Sequence, residues 1–194
     1  MEATYFFDPS CPYTWRTSRW LVGVAPERNV ALRWRAFSLT ILSGGDIPEK
    51  SRAKRAAATR ALRLVEALRA DHRDADIAAF YTEIGARTFE AGTDLSDDIA
   101  VASADAAGIT DAKAVMDDES WDDAVRESHE TALASAGPDI GSPVLWIEGT
   151  RRAVHGPVLA LDRRPARDEA AAIWDAVVSL ARSDSFWELK RGRR

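Results

Sequence analysis

Apolar and polar positions divide the chain into a β-rich start, a long helical middle and an end that is first β and then helical. Thr4 to Phe7 is a β-branched and aromatic run closed by Asp8-Pro9-Ser10, which predicts a strand ending in a turn. Cys11 stands immediately before Pro12, and apolar groups follow at Trp15, Leu21, Val22 and Ala25. Proline is favoured at the first helical position, so Cys11 is expected at or beside the N-cap of a helix that stops before Pro26. Residues 30–39 then alternate, with Val30, Leu32, Trp34 and Ala36 on one face and Arg33 and Arg35 on the other, predicting a second strand. Strand, helix and strand in so short a stretch make a βαβ unit with parallel strands and a right-handed crossover.

After Ser43-Gly44-Gly45-Asp46 the pattern changes. Residues 48–136 are rich in Ala, Arg, Asp and Glu, with helical spacing and almost no strand signal. Ile77, Phe80, Tyr81, Ile84 and Phe89 share one helical face. Leu95, Ile99 and Ala102 share another, ended by Gly108, and Trp121, Val125, His129, Ala132 and Leu133 repeat the pattern up to Gly137-Pro138. No internal repeat is visible. β character returns at Val144-Leu145-Trp146-Ile147, and Glu148-Gly149-Thr150 turns the chain into Ala153-Val154-His155 as a hairpin. A helix over residues 168–182 ends the series, with Ala172, Ile173, Trp174, Val177, Val178 and Ala181 on its core side. This order predicts a small mixed α/β sheet with a helical cap: residues 1–47 and 137–194 form the sheet-bearing domain, and residues 48–136 an all-helical insertion.

A length of 194 residues suits one domain with such an insertion, and 46% hydrophobic with 29% charged residues excludes a disordered chain. A net charge of −5 argues against a broad nucleic-acid footprint, and the basic Lys190-Arg191-Gly192-Arg193-Arg194 reads as a solvated tail. No apolar run approaches the roughly 18 residues that cross a bilayer, and the N-terminus lacks a signal-peptide pattern. A cytoplasmic protein without a membrane partner is therefore expected. His72, His129 and His155 are too scattered to hold a metal with Cys11. No Gly-rich phosphate loop is present, and no flavin or nicotinamide signature is visible. His129 falls on an apolar face, where it reads as a satisfied core histidine ahead of a general base. Asp97-Asp98, Asp117-Asp118-Glu119 and Asp122-Asp123 stand at helix starts, where the dipole favours acids.

Cys11 is the one cysteine of the chain, so no disulfide framework holds the fold. A thiol at a helix N-terminus faces backbone N–H groups and the positive end of the helix dipole, both of which favour thiolate. The carboxyl end of a parallel strand is also where open α/β sheets collect ligands. Together these features make Cys11 a nucleophile in place of an inert buried hydrophobe. Gly141-Ser142-Pro143-Val144 enters the third strand, where a proline can begin a strand but not sit centrally. Spacing alone favours a trans bond, since cis is about 5–6% of X-Pro bonds. A cis bond would turn the Ser142 backbone toward the thiol and expose an edge amide to a substrate. Tyr13, Trp15 and Trp20 either line an aromatic cleft beside the thiol or belong to the core.

Phe7-Asp8-Pro9-Ser10-Cys11-Pro12-Tyr13-Thr14-Trp15 resembles the active-site segment of DsbA-type thioredoxin-fold oxidoreductases, which carry a Cys-Pro-aromatic-Cys motif. Within that family it is most similar to the actinobacterial mycothiol-dependent nitroreductases. Thr17-Ser18-Arg19-Trp20, Ser38-Leu39-Thr40-Ile41-Leu42, Arg126-Glu127-Ser128-His129, Gly141-Ser142-Pro143, Gly156-Pro157-Val158-Leu159 and Phe186-Trp187-Glu188-Leu189-Lys190-Arg191 extend the likeness over nearly the whole chain. The resemblance implies an α/β, thioredoxin-like fold: a mixed four-stranded sheet in the order 2-1-3-4 with a large all-helical insertion. It also implies that Pro143 is the family's cis-proline. By the same resemblance Cys11 is the catalytic nucleophile, with N–H groups around Tyr13 and Thr14 and the Thr14 hydroxyl beside it. Pro12, Tyr13, Trp15, Ser142 and Pro143 would then hold a low-molecular-weight thiol, mycothiol or glutathione, and a small electrophilic substrate.

The family's second motif cysteine is Thr14 here. A dithiol closes its own disulfide because the resolving thiol is held beside the first, with effective molarities of about 10⁵ M or more. Cys11 alone can form only a mixed disulfide, which an outside thiol must resolve. The Thr14 hydroxyl either donates a hydrogen bond to the thiolate or marks a substitution that has lost the function. Two other function classes stay open. Kappa-class glutathione transferases and 2-hydroxychromene-2-carboxylate isomerases share the fold, with Ser-Pro-Tyr where Cys11-Pro12-Tyr13 stands. Their likeness implies a thiol transferase that holds the cofactor's thiolate. The third class is a non-catalytic binding protein that has kept the fold without the dithiol.

Overall fold

A computed structural model describes residues 1–192; Arg193 and Arg194, the end of the basic tail, lie outside the described residues. Strand β1 (Glu2–Phe7) is the spine of the sheet, and its aromatic run is buried on both faces. Tyr5 and Phe7 join Trp34 in the larger core, while Phe6 joins Phe37, Ala132 and Val144 in a second cluster. A strand covered on both sides needs a continuous apolar run, and residues 5–7 supply it. β1 pairs in parallel with β2 (Ala31–Ala36), from Glu2 opposite Ala31 to Phe7 opposite Ala36. On its other edge it pairs antiparallel with β3 (Val144–Ile147), which pairs with β4 (Val154–His155). The sheet is four-stranded in the order β2-β1-β3-β4, as the resemblance implies. β2 is shorter than the alternation over residues 30–39 predicts. Helix α1 (Pro12–Val24) follows β1, and beyond β2 Ser38 caps the short helix α2 (Leu39–Leu42), its hydroxyl accepting from Ile41 N–H.

Helix α1 begins on its proline and ends before Pro26. Trp15, Leu21 and Val24 are buried, whereas Val22, predicted with them, is exposed. Between β2 and β3 the described residues hold no strand. Helices α3 (Arg52–Ala70), α4 (Asp74–Gly85), α5 (Asp97–Ala106), α6 (Ala112–Asp117) and α7 (Asp122–Ala136) fill this stretch, and α4 runs on into a π-helical turn over Ala86–Glu90. These helices share buried side chains with the sheet: Tyr81 of α4 lies 4.2 Å from Phe7, centroid to centroid. In α5 the buried positions are Ala100, Ser103 and Ala104, while Ile99 and Ala102, predicted on the core face, are half-buried beside them. Asp97-Asp98 and Asp122-Asp123 occupy the first turns of α5 and α7, and Asp117 pairs with Arg60 and Lys113. Helix α8 (Arg167–Ala181) packs on α1 through Trp174, whose ring lies 6.1 Å from that of Trp20; Ala172, predicted on the core side, is exposed. No helix among the described residues is long and apolar enough to cross a membrane.

Candidate active site

The chain turns as soon as β1 ends. Cys11 N–H donates to Asp8 O at 3.1 Å, closing a turn with Pro9 in its second position. The buried Asp8 carboxylate anchors this turn. Its Oδ1 accepts from the Ser10 N–H (2.8 Å) and the Ser10 hydroxyl (2.5 Å), and its Oδ2 accepts from Leu39 N–H (2.8 Å). Arg55 Nη1 lies 3.7 Å from Oδ2 and donates to Ser10 Oγ at 3.0 Å. A carboxylate out of water is tolerated only when paired and hydrogen-bonded in this way. The network ties the end of β1 to α2 and α3 and thereby fixes the loop that carries the thiol.

Cys11 is the N-cap residue of α1 (φ −95°, ψ 116°) and is 8% exposed. Trp15 N–H donates to its carbonyl at 3.1 Å, closing the first turn. Pro12 has no N–H, so the helix amides nearest the thiol belong to Tyr13 and Thr14. Cys11 Sγ lies 4.0 Å from Ser142 O. The Ser142–Pro143 peptide bond is cis, as the resemblance implies and against what spacing alone favours. Pro143 O accepts from Gly156 N–H at 2.9 Å, continuing the pairing of β3 with β4.

Thr14 is fully buried and faces the same residue, with Oγ1 and Ser142 Oγ 2.6 Å apart. The hydroxyl expected beside the thiolate is thus paired with Ser142 Oγ, where either oxygen can donate. Cys11, Pro12, Thr14, Ser142 and Pro143 thus meet at one corner of the fold. The Gly156–Pro157 bond is also cis, which sequence reasoning missed, and Pro157 O accepts from the Thr17 hydroxyl at 2.7 Å.

The aromatic residues divide. Tyr13 is half-buried on the first turn of α1. Trp15 is buried, stacked on Phe89 (6.2 Å) and edge-on to Tyr81 (5.5 Å), with the Arg19 guanidinium 4.1 Å above its ring. Gly85 admits it: a Cβ there would overlap the Trp15 ring. Trp20 donates Nε1–H to Ala170 O at 3.0 Å and belongs to the packing of α1 on α8, not to the thiol corner. Tyr5 and Tyr81 have pKa values raised well above the tyrosine range by burial, and the Tyr5 hydroxyl donates to Thr14 O at 2.7 Å.

Lys54 of α3 is half-buried, with Nζ 5.2 Å from the Phe89 ring centre. Burial lowers its pKa, while the Asp8 carboxylate opposes that shift. Asp8, Lys54, Arg55 and Gly85 are not site candidates in the sequence, and Phe89 reads there only as one of an apolar helical face. Asp8 was legible only as a turn residue, and Lys54 and Arg55 sit in a helix crowded with cations. His129 is a satisfied core histidine: Nδ1 accepts Ser38 N–H at 3.3 Å, and the ring meets Phe37 at 4.6 Å. Burial lowers its pKa, with Glu130 and Asp8 opposing. Among the described residues no group of His, Cys, Asp and Glu is assembled to hold a metal.

A cysteine at a helix N-cap position against a cis-proline loop narrows the choice of family, and the sequence decides it. The family described as mycothiol-dependent nitroreductase Rv2466c matches residues 10–191. The chain belongs to that family. Uncharacterized protein Rv2286c of Mycobacterium tuberculosis is 28% identical over 199 residues, covering 96% of this chain and 80% of that one. A thioredoxin-like oxidoreductase from Silicibacter pomeroyi superposes with a TM-score of 0.58 at 18% identity, over 94% of this chain and 87% of its own. A 2-hydroxychromene-2-carboxylate isomerase superposes with a TM-score of 0.61 at 15% identity, over 94% and 97%. At such identities the two structures speak for a shared thioredoxin-like fold.

Proposed function

We propose that this oxidoreductase is a cytosolic monothiol enzyme, in which Cys11 is the nucleophile and a low-molecular-weight thiol, mycothiol by its family, completes the turnover. The observation that carries this reading is the placement of Cys11 Sγ at the N-cap of α1, 4.0 Å from Ser142 O beside the cis-proline. The Cys11 thiolate attacks one sulfur of a small disulfide, forming a mixed disulfide and releasing the other half as thiolate. The external thiolate then attacks the substrate sulfur of that mixed disulfide. This returns the Cys11 thiolate and leaves a disulfide between the external thiol and the substrate fragment. A second external thiol frees that fragment as thiol, and the two external thiols end as their own disulfide.

The chain's other residues serve this sequence. Pro12 starts the helix at the sulfur, and Ser142 and Pro143 offer the backbone edge along which the thiol ligand lies. Thr14 is a positioning residue that holds Ser142, Tyr13 borders the thiol, and Trp15 fixes α1 against the helical segment of residues 48–136, which covers the site. With mycothiol as the only reductant, wild-type protein is expected to reduce a small disulfide. Iodoacetamide is expected to abolish turnover in proportion to Cys11 labelling, and Cys11→Ser to abolish it outright. A second reading, a thiol transferase that holds the cofactor's thiolate instead of its own, is supported by the likeness to the isomerase over 94% of the chain. In that case Cys11→Ser retains activity.

A further inference from the structure

The first turn of α3 brings two cations to the thiol corner, and they are used differently. Arg55 is engaged by the chain itself: its Nη1 donates to Ser10 Oγ at 3.0 Å and lies 3.7 Å from Asp8 Oδ2. Lys54, one residue earlier, donates no hydrogen bond and closes no ion pair among the described residues. Its ammonium sits 5.2 Å from the centre of the Phe89 ring. Phe89 in turn stacks at 6.2 Å on Trp15, four residues beyond Cys11 on α1. Lys54 and Phe89 are both half-buried, so this side of the corner keeps its contact with solvent.

Four charged or titratable groups act on the Lys54 ammonium: Asp8 and Cys11 from the loop after β1, Arg55 from α3, and Asp94 from the stretch before α5. Burial and Arg55 disfavour the ammonium and lower its pKa, while Asp8, Cys11 and Asp94 oppose that shift. Neither carboxylate is a full partner. Asp8 is buried and already takes three hydrogen bonds beside Arg55, and Asp94 is exposed, where salt screens it. The face of Phe89 attracts the cation but leaves its three N–H donors unengaged. A compact charge on a flexible four-carbon stem acts by Coulomb attraction and needs no fixed fork geometry.

We propose that Lys54 is a specificity-determining residue of the thiol site, selecting disulfides and electrophiles that carry a negative charge, such as a carboxylate, beside the reacting atom. The proposal rests on Cys11 as the nucleophile. An anionic compound approaching Cys11 is repelled by the thiolate and by Asp8, and the ammonium offsets that repulsion. A neutral compound meets neither effect.

Iodoacetate and iodoacetamide are the probes. With each, the thiolate sulfur forms a bond to carbon as the carbon–iodine bond breaks and iodide leaves, and the two reagents differ by one negative charge. The ratio of their rate constants at Cys11 therefore cancels the thiolate fraction and any loosening of the fold. Lys54→Met is expected to lower the iodoacetate-to-iodoacetamide ratio about threefold or more, the scale of a unit charge acting across a few ångström of water. Lys54→Arg is expected to keep it near the wild-type value. Lys113→Met, an exposed lysine on α6, is expected to leave it unchanged. An unchanged ratio in Lys54→Met, or an equal fall in Lys113→Met, overturns the proposal and leaves Lys54 as packing on Phe89. Turnover is read separately with a neutral disulfide, bis(2-hydroxyethyl) disulfide. Its absence counts against the monothiol enzyme, whereas an unchanged labelling ratio counts against Lys54 alone. Wild-type protein that neither reagent labels overturns both.

Discussion

The first turn of α1 and the turns that follow it treat their polar groups in opposite ways. Around Cys11, the Asp8 carboxylate receives three hydrogen bonds and an arginine, Thr14 is paired with Ser142, and the Tyr5 hydroxyl is spent on Thr14 O. Two turns on, Arg16 and Arg19 keep buried N–H groups with nothing to bind. A satisfied network has one low-energy arrangement and so holds the sulfur against the cis-proline loop. Unsatisfied buried donors define no such single arrangement. The contrast makes the thiol corner a rigid frame for chemistry and leaves the arginine pair less firmly fixed.

The largest effect comes from putting a second thiol into the rigid corner. Thr14→Cys places a sulfur where Thr14 now meets Ser142, the residue that Cys11 also faces. Mild oxidation is then expected to close an intramolecular disulfide, and external thiol no longer accumulates on Cys11. Two free thiols after oxidation, counted with a chromogenic disulfide, would mean that the side chains do not face each other. Next in size is Asp8→Ala, which strands two N–H groups, a hydroxyl and Arg55. It should lower stability by about 3–5 kcal/mol, read as a drop in the urea midpoint with little change in slope.

A smaller effect follows from acid. Burial depresses the pKa of His129 below its unfolded value, and its Nδ1 must stay unprotonated to accept Ser38 N–H. Its contribution is therefore complete above about pH 6.5 and is lost as pH falls through the depressed folded value. His129→Gln, which can still accept but does not titrate, is expected to flatten urea stability across that acidic window; an unchanged slope contradicts this. The smallest effects set the two halves of the contrast side by side. Thr14→Val leaves Ser142 Oγ unpaired and should cost about 1–2 kcal/mol, whereas Arg16→Gln should stay within about 0.5 kcal/mol. Equal losses in chemical denaturation would erase the distinction between the satisfied and the unsatisfied turns.

What could be read in the sequence follows from how local each cause is. The aromatic run of β1, the proline that opens α1 and the alternation in β2 act within a few residues; β1 and α1 lie where their patterns place them, and β2 falls inside its alternating stretch but ends at Ala36. Cys11 was legible because a Cys-Pro at a strand-to-helix turn is itself local. The Ser142–Pro143 geometry became legible through the family resemblance, since spacing alone pointed to trans. The Thr14–Ser142 pair joins residues 128 apart in sequence, and no periodicity brings them together. The same holds for Lys54 over Phe89 and for Gly85 under Trp15, which arise only when α3 and α4 fold back on α1. Arg16 and Arg19 were hidden for another reason: cations on a helix ordinarily face water, and only burial without a partner sets these two apart.

Intact-mass spectrometry after exposure to mycothiol disulfide probes the monothiol reading most directly. Wild-type protein is expected to gain the mass of one mycothiol less two hydrogens, mapped by peptide digestion to Cys11 and reversed by free mycothiol. Cys11→Ser is expected to gain nothing. A wild-type protein that stays unmodified under conditions where iodoacetamide labels Cys11 would contradict the account, because the sulfur would then be reachable yet unable to exchange.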